Sequence, residues 1–424
     1  MKIGLEVHVA LPTRTKLFCS DLAYENQDIP NSNVCPTCLG LPGSKPVLNR
    51  KALEISANIA HALKCSIPKS TWFVRKVYFY PDLPKGYQIT QLDGSIGKDG
   101  LVKIKNKKSI RIRRVQIEED PAKIVRGKDY SLIDFNRSGV PLNEIVTEPD
   151  ISNLDELKDF VEELRSILYY VGVDINQEMK IDLNISLAEN RVEVKNITGI
   201  RNLINAAEYE IKRQSLCIKN KEEVKTETRT YNEQNRETFA SREKETEEEY
   251  GFIFEPDLAF YDTSKIELEK CIIASEIAHE LAENNVYRES VIRELILFNK
   301  HNLYTLLNVS KEEFPKAVAL IEKFASFGYN EYSDEQFKRM LKHDIYNIDK
   351  EKFVSLLKGK EVEKEVPSDE IINYIKEIIK KENLQKRGDD KFIGFLIGKV
   401  KNSYHIDAAR SRELITKAIK DMEN

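Results

Sequence analysis

The chain contains few cysteines and no long apolar run. No segment approaches the ~20 consecutive apolar residues that a helix needs to cross a bilayer. The first residues enter a strand pattern directly, without the charged start and apolar core of a signal peptide. Six cysteines among 424 residues are too few for a disulfide framework. We therefore expect a cytoplasmic protein that makes no contact with a membrane.

Several common nucleotide-binding and hydrolase motifs are also missing. The chain has no G-x-x-x-x-G-K-[ST] phosphate loop and no G-x-G-x-x-G dinucleotide fingerprint after a strand. It has no G-x-S-x-G nucleophile elbow either. If the protein transfers phosphate, its metal must be held by carboxylates rather than by a glycine-rich loop.

Charge is distributed unevenly along the chain, although the net charge is only -4. The segment from Glu222 to Glu249 is highly charged and nearly free of apolar residues, so we expect a mobile excursion there. Lys376 to Lys420 contains 12 basic and 6 acidic residues. This excess indicates a nucleic-acid contact near the C-terminus, although a solvated helix surface would give the same composition.

Three segments alternate apolar and polar residues with a period of two, which is typical of strands with one buried face. They cover residues 3–9, 179–187 and 192–195. Their polar positions are Glu6, His8, Lys180, Asp182, Asn184, Ser186, Glu193 and Lys195. If these strands share a sheet, the polar face is an acidic cradle suited to a divalent cation and its phosphates. An antiparallel sheet with one solvated face would show the same alternation.

Periodicity changes from mixed to helical along the chain. Amphipathic helices are predicted from about Leu154 to Tyr170, with Ser152 or Asn153 as N-cap and Gly172 after the end, and from about Leu203 to Ile218. The remaining predicted helices lie within 266–357 and at 371–384, 391–403 and 406–422. We predict an α+β fold with a mixed, largely antiparallel sheet, followed by an all-helical domain and a small helical tail. The predicted domains are 1–263, 264–366 and 367–424.

Three cysteines have the spacing of half a zinc ribbon. Cys19, Cys35 and Cys38 form C-x15-C-x2-C, and thiolates bind zinc tetrahedrally. Asp21 or a water could supply the fourth ligand. An empty, vestigial knuckle is the alternative.

Further acids and lysines are candidates for a phosphate site. The segment IEEDPAK has three consecutive acids. The apolar–polar alternation before it is interrupted at Arg113 and Arg114, so counting residues does not decide whether Glu118 or Glu119 faces the same side as His8. A solvated turn is the alternative. Glu144 and Glu148 are bracketed by apolar residues and prolines. The candidate phosphate-binding lysines are Lys76 and Lys85, which flank an aromatic loop, and Lys123.

Eight motifs, taken in order, resemble the GatB family, which supplies one of the subunits of the tRNA-dependent amidotransferases. They are IGLEVHV, VCPTCLGLPG, RKVYFYPDLPKGYQITQLD, IEEDPAK, DFNRSGVPLNEIVTEPD, IDLNIS, VEVKN and FEPDL. The resemblance covers essentially the whole chain. It implies a catalytic cradle, a helical domain and a tail similar to the YqeY family, in which KFIGFLIGKV is the recognisable segment.

The resemblance implies ATP-dependent amidation of Glu-tRNA(Gln), Asp-tRNA(Asn) or both. In the family, ATP phosphorylates the side-chain carboxylate of the mischarged aminoacyl group, and ammonia then displaces phosphate. Matched motif by motif, Glu6, His8, Glu119 and Asp182 correspond to Mg²⁺ ligands. Glu144 and Glu193 are expected as direct or outer ligands of the same site.

The resemblance also implies partners, because the chain lacks the glycine- and serine-rich amidase signature. Ammonia is expected from a GatA-type glutaminase, in a heterotrimer that includes a small protein of the GatC type. Departures from the family pattern occur at Gln177, Glu178, Lys180 and Gly251. The departures near Asp182 leave the alternative of a tRNA-binding protein with impaired catalysis. A second alternative is a protein of the similar GatE type without its large inserted domain, for which 424 residues leave no room.

Overall fold

The computed structural model describes residues 1–24, 29–175, 179–243, 251–346, 348–359, 368–381, 390–404 and 408–423. Contacts divide the chain into two compact units, Met1–Glu322 and Lys323–Asn424. The three-domain division expected from the sequence stays a prediction. Within the described ranges, no helix is both long enough and apolar enough to cross a membrane.

The described strands all belong to the first unit. In chain order they are β1 (Lys2–Ala10), β2 (Ser70–Thr71), β3 (Val74–Val77), β4 (Tyr87–Thr90), β5 (Gly97–Lys103), β6 (Ser109–Glu119), β7 (Lys123–Arg126), β8 (Ser131–Asp134), β9 (Pro141–Thr147), β10 (Lys180–Ser186), β11 (Val192–Thr198), β12 (Glu227–Asn232), β13 (Glu237–Glu243), β14 (Gly251–Phe254) and β15 (Tyr261–Asp262).

Helices alternate with these strands and then replace them. They are α1 (Pro36–Leu39), α2 (Arg50–Ala62), α3 (Leu154–Val171), α4 (Ile200–Lys219), α5 (Ala274–Asn285), α6 (Glu289–Ile296), α7 (Lys300–Leu307), α8 (Phe314–Ser326), α9 (Asp334–Met340), α10 (Lys350–Leu357), α11 (Ser368–Lys381), α12 (Asp390–Tyr404) and α13 (Ala408–Glu423). Short 3-10 helices lie at Phe135–Arg137 and Thr263–Lys265. The predicted α+β class is confirmed.

Among the described residues, one sheet has eight strands in the order β13-β12-β11-β10-β1-β9-β6-β5. Its neighbours pair antiparallel except for β11 and β12, which are parallel. Smaller sheets in the same ranges are β14-β3-β4, β15-β2 and β7-β8. The long sheet brings β1, β10 and β11 together, as the three alternating segments predict.

The alternating residues produce one dry face and one polar face on this sheet. In β1 the apolar side chains Ile3, Leu5, Val7 and Val9 are at most 3% exposed. They belong to the same apolar cluster as the buried faces of α2, α3 and α4. Because these helices cover the apolar face, the acidic side chains are left on the other face of the sheet.

Helix α3 begins and ends close to where the sequence predicts. The Asn153 side chain accepts the backbone N–H of Glu156, and Gly172 closes the C-terminus at φ 99°. Asparagine at an N-cap and glycine in the left-handed conformation after the last turn are favoured at these positions. The second predicted helix is α4, which is longer than expected by three residues at its start and one at its end.

The second unit is helical throughout its described residues, apart from connecting loops. α11, α12 and α13 pack around a cluster that includes Ile375, Leu396 and Ile415, each fully buried. These helices match the three predicted in the tail, although residues 382–384 and 406–407 of those predictions lie outside the described residues.

The expected mobile excursion at 222–249 is wrong for its described residues. β12 and β13 lie there and extend the eight-stranded sheet. Val224 and Tyr231 of this segment are buried in the main apolar cluster. Arg229 is also buried, at 9% exposed; it contacts Glu210 at 3.1 Å and donates to Thr238 at 2.8 Å. Residues 244–250 lie outside the described ranges.

Candidate active site

Three carboxylates meet on the polar face of the sheet. One oxygen from each of Glu6, Asp182 and Glu193 lies within 4.8 Å of the others, and we call these residues the acid triad. Glu6 and Asp182 are directly opposite each other in the β1–β10 pairing, and Glu193 is opposite Asn184 in the β10–β11 pairing. Residues opposite each other on paired strands project to the same face. Strand register therefore assembles the triad from three distant segments.

A bulge in β11 adds a cation to the acid triad. The β10–β11 register shifts between Ile181 and Leu183, and Asn196 adopts the left-handed conformation at φ 69°. Such a bulge re-aims the side chain beside it. Lys195 Nζ consequently lies 3.0 Å from Asp182 Oδ2 and 3.5 Å from Glu193 Oε1. Burial opposes the charge on Lys195, yet these carboxylates raise its pKa above the ordinary value.

Neutral donors contact two further triad oxygens. Asn184 Nδ2 donates to Glu6 Oε1 at 3.1 Å, and Thr228 Oγ1 donates to Glu193 Oε2 at 3.0 Å. Carboxylate oxygens are the protein ligands that Mg²⁺ takes in phosphate-transfer sites. The donor set therefore fits a hard divalent cation.

His8 forms a second cluster with two buried glutamates on the same face. Its Nε2 lies 3.4 Å from Glu118 Oε1 and 3.7 Å from Glu144 Oε1. Burial is the main cause that raises the pKa of Glu118 to about 7, and burial also raises the pKa of Glu144. Burial opposes protonation of His8, but the carboxylates, Glu118 first, raise its pKa above the ordinary value. Gln116 donates a hydrogen bond to Glu144.

The structure places the Glu119 carboxylate against Lys85 rather than in the acid triad or the His8 cluster, so its predicted role as a metal ligand stays a prediction. Its carboxylate accepts Lys85 Nζ at 2.5 and 2.6 Å and the backbone N–H of Ile89 at 2.8 Å. Consecutive residues of a strand project to opposite faces, and it is Glu118 that contacts His8. The β6–β9 register shifts between Ile112 and Arg114, which explains the slip in alternation that left the parity open.

The predicted phosphate-binding lysines lie in three different environments. Lys76, on β3, is near enough to lower the pKa of both Glu118 and Glu144 by its charge. Lys85 is engaged by Glu119. Lys123 begins β7 and is exposed. The chain departs from the family pattern at four positions. Lys180 Nζ lies 3.6 Å from Asp120 Oδ1, and Gly251 is the first residue of β14. Gln177 and Glu178 lie outside the described residues.

Sequence reasoning placed Glu6, His8, Asp182 and Glu193 on one face, where the structure also has them, but it assigned no role to Glu118 or Lys195. The signal for Lys195 was present, because it shares the parity of Glu193. Its contact with Asp182 depends on the bulge, which the alternation pattern does not reveal.

The cysteine cluster is also assembled. Cys19, Asp21, Cys35 and Cys38 each offer a ligand atom within 4.8 Å of the others. Cys38 Sγ lies 3.5 Å from Cys19 Sγ and 3.7 Å from Cys35 Sγ, close to the S···S separation of about 3.8 Å in a tetrahedral zinc site. A hydrogen bond from Cys19 is the main cause that lowers the pKa of Cys38 to about 6, and the ammonium of Lys16, 3.4 Å away, acts in the same direction. Three sulfurs and one carboxylate fit zinc.

Comparison with known proteins identifies the family of the domain that carries this site. Residues 1–269 match the family model described as the GatB/GatE catalytic domain. The chain belongs to this family. A curated relative from Sulfurisphaera tokodaii, the B-type component of an aspartyl/glutamyl-tRNA(Asn/Gln) amidotransferase, is 38% identical over 99% of both chains. A relative of the same name from Sulfolobus acidocaldarius is 37% identical over the same share of each.

A third relative of that name, from Saccharolobus solfataricus, is 48% identical over 64% of this chain and 60% of its own length. The two longer matches extend through the helical regions, so the family resemblance is not confined to the domain that carries the acid triad.

Proposed function

We propose that the chain is the component of an aminoacyl-tRNA amidotransferase that activates the side-chain carboxylate of Glu or Asp esterified to tRNA. The observation that carries this proposal is the acid triad, which lies within the domain matched to the GatB/GatE family. Support also comes from the names of the relatives, which specify tRNA(Asn/Gln).

The proposed chemistry proceeds in two displacements. A carboxylate oxygen of the aminoacyl group attacks the γ-phosphorus of ATP, and the bond to ADP breaks. Ammonia nitrogen then attacks the acyl carbon, inorganic phosphate leaves with the bonding electrons, and nitrogen loses a proton. Activation is required because a free carboxylate would have to expel oxide.

In this proposal the acid triad holds Mg²⁺, which would neutralise charge on the transferring phosphoryl group. Glu6, Asp182 and Glu193 supply the oxygens. Lys195, fixed 3.0 Å from Asp182, reduces the negative charge that an incoming phosphate meets. Lys76, whose charge reaches Glu118 and Glu144, is the best placed of the predicted phosphate-binding lysines.

The His8 cluster lines the same face beside the triad. His8 Nε2 lies 3.4 Å from Glu118 Oε1, within hydrogen-bonding range, and 3.7 Å from Glu144 Oε1, just beyond that range. In this proposal the two glutamates orient the imidazole toward the substrate side of the sheet. Glu119 acts indirectly in this proposal. Its ion pair with Lys85 fixes the end of β6, the strand that carries Glu118.

Several partners and one further metal complete the proposal. Ammonia comes from a GatA-type glutaminase in a cytoplasmic complex with a small protein of the GatC type. The cluster of Cys19, Asp21, Cys35 and Cys38 holds a structural zinc.

The test is ADP formation by the reconstituted complex with ATP and mischarged tRNA. We expect ADP to form with Glu-tRNA(Gln), Asp-tRNA(Asn) or both, and not with correctly charged Gln-tRNA(Gln). Assaying both mischarged tRNAs also identifies the substrate. Tight binding of both without ADP or amide formation would contradict the proposal and favour a tRNA-binding protein with impaired catalysis.

A further inference from the structure

Several aromatic side chains project into solvent beside the candidate active site. Phe79 is 91% exposed, Tyr80 is 45% exposed and Tyr130 is 65% exposed. Phe79 and Tyr80 lie in the loop after β3, and Tyr130 lies in the turn between β7 and β8. We call these three residues the aromatic surface.

The loop and the β7–β8 hairpin form one continuous surface. The backbone N–H of Ala122, just before β7, donates to the carbonyl of Asp82 at 3.0 Å. Arg126 Nη2, at the end of β7, donates to the Tyr80 hydroxyl at 2.8 Å. These bonds join two segments that are about 40 residues apart in the sequence.

Basic groups are interleaved with the aromatic rings. Lys76 Nζ lies 5.8 Å from the centre of the Tyr78 ring, and Arg126 contacts Tyr80. Lys123 and Lys128 on the hairpin are exposed. Aromatic rings that stack bases, combined with cations that follow the phosphates, are the usual means of binding single-stranded nucleic acid.

The hairpin also exposes apolar side chains. Val125 and Leu132 are paired in register and are 48% and 59% exposed. A two-stranded hairpin gains little stability by itself in water. Exposed apolar residues on such a hairpin are typical of a surface that is covered when a partner binds.

The aromatic surface adjoins the acidic face of the sheet. A Cβ added at Gly86 would lie 3.8 Å from the Phe79 ring, so this ring lies over the backbone next to Lys85. Lys76, whose Nζ lies 5.8 Å from the centre of the Tyr78 ring, is also near enough to Glu118 and Glu144 on the acidic face for its charge to lower their pKa. A nucleic-acid strand bound along the aromatic surface would therefore end close to His8 and Glu118.

We propose that the aromatic surface stacks the unpaired bases at the 3′ end of the aminoacyl-tRNA and so delivers the esterified amino acid to the acid triad. This inference rests on the proposed function, because that function supplies a substrate whose reacting group is attached to a single-stranded RNA end. Phe79 and Tyr130 are positioning residues in this account.

The test measures stacking directly and uses the reconstituted complex. An uncharged tRNA carries 2-aminopurine in its unpaired 3′ segment, whose fluorescence is quenched when the base stacks on an aromatic ring. We expect quenching with the unaltered chain and loss of most of it in Phe79→Ala and in Phe79→Ala/Tyr130→Ala. Stacking of one base contributes about a tenfold factor in affinity, so we expect the KM for mischarged tRNA to rise by about that factor while kcat at saturating tRNA changes little.

The matched control is Tyr304→Ala, which removes a half-exposed aromatic side chain from α7. It should leave quenching and KM unchanged. Undiminished quenching in the Phe79→Ala/Tyr130→Ala variant would overturn the inference. If this variant no longer binds the partner proteins but still quenches the fluorescence, the inference is also wrong, and the surface is a docking site for a protein. The quenching measurement does not depend on amide formation. It can therefore be interpreted even if the proposed function is wrong.

Discussion

Lys195 shows how one residue sets the charge of the candidate site. Its ammonium lies between Asp182 and Glu193, and a bulge at Asn196 holds it there. Like-charged carboxylates this close repel each other unless a cation lies among them. The triad is therefore compensated by Lys195 in the free chain and by both Lys195 and Mg²⁺ in the proposed complex.

The substitution Lys195→Met tests this arrangement. Without the ammonium, the three carboxylates repel, so we expect thermal unfolding without magnesium to begin a few degrees lower than in the unaltered chain. Added Mg²⁺ should raise the midpoint more in the variant than in the unaltered chain, because the ion supplies the missing charge. Differential scanning calorimetry across a magnesium series measures both effects.

The control for Lys195→Met is Lys212→Met, which removes an exposed lysine from α4. Its unfolding midpoint, and the shift of that midpoint by Mg²⁺, should equal those of the unaltered chain. If magnesium shifts neither midpoint, the acid triad does not bind the ion with useful affinity.

The sequence predicts which face of each strand carries the acids where alternation is regular. Ile3 to Val9 alternates without a break, so Glu6 and His8 were placed correctly on one face. β6 contains an irregular register at Arg113, and beyond such a point a residue count cannot assign parity. Family resemblance favoured Glu119, whereas the structure places Glu118 beside His8.

At the scale of elements, the cysteine cluster connects two separated loops. Cys19 and Asp21 precede the short helix α1, and Cys35 and Cys38 lie at its start and within it. A metal here would hold these two segments together.

We expect the purified chain to contain about one zinc ion, and we expect Cys35→Ser to lose this ion and to unfold at a lower temperature. Elemental analysis and calorimetry measure these outcomes. The control Cys217→Ser changes a half-buried thiol on α4 and should keep the metal. Equal zinc content in the two variants would contradict the assignment.

The start of α3 predicts a pH-dependent contribution to stability. Burial opposes ionisation of Glu156, but hydrogen bonds from Lys108 Nζ at 2.6 Å and from Ser152 lower its pKa to about 2 from 4.5. Because the pKa is depressed in the folded state, the contribution is complete above pH 4.5 and is lost as pH falls toward 2.

We therefore expect Glu156→Gln to reduce the free energy of unfolding by about 1 kcal/mol at pH 7, with a smaller difference from the unaltered chain at about pH 3.5. Urea denaturation of both proteins at the two pH values measures this. A difference that grows as pH falls would contradict the sign of the shift.

The sequence is least informative where charged residues are buried. β12 and β13 contain few apolar residues, and their Arg229 and Thr238 are buried through bonds to Glu210. A buried ion pair of this kind depends on partners brought by another element, here α4. Composition alone assigns such a segment to solvent, whereas the caps of α3 are local signals and were identified correctly.

At the scale of the whole molecule, the basic tail and the sheet that carries the acid triad lie in different compact units. The tail has its own apolar cluster, and its basic residues outnumber the acidic ones. If these charges contact phosphates, binding should depend on salt.

Deleting residues 368–424 should raise the KM for mischarged tRNA several-fold and leave amidation with free ammonia intact at saturating tRNA. The gentler variant Lys399→Glu/Lys401→Glu, on exposed positions of α12, should reduce affinity in the same direction and flatten its salt dependence. Unchanged affinity in both variants would remove the tail from the tRNA contact.

The account depends most on the claim that the acid triad activates the esterified carboxylate. Asp182→Asn keeps the shape of a triad member and removes one negative charge. We predict that the reconstituted complex with this variant binds mischarged tRNA as before but forms amide at least about a hundredfold more slowly, because the phosphoryl group is no longer neutralised correctly. The control Glu208→Gln, an exposed acid on α4, should retain full activity. Amidation by Asp182→Asn at the rate of the unaltered complex would contradict the account.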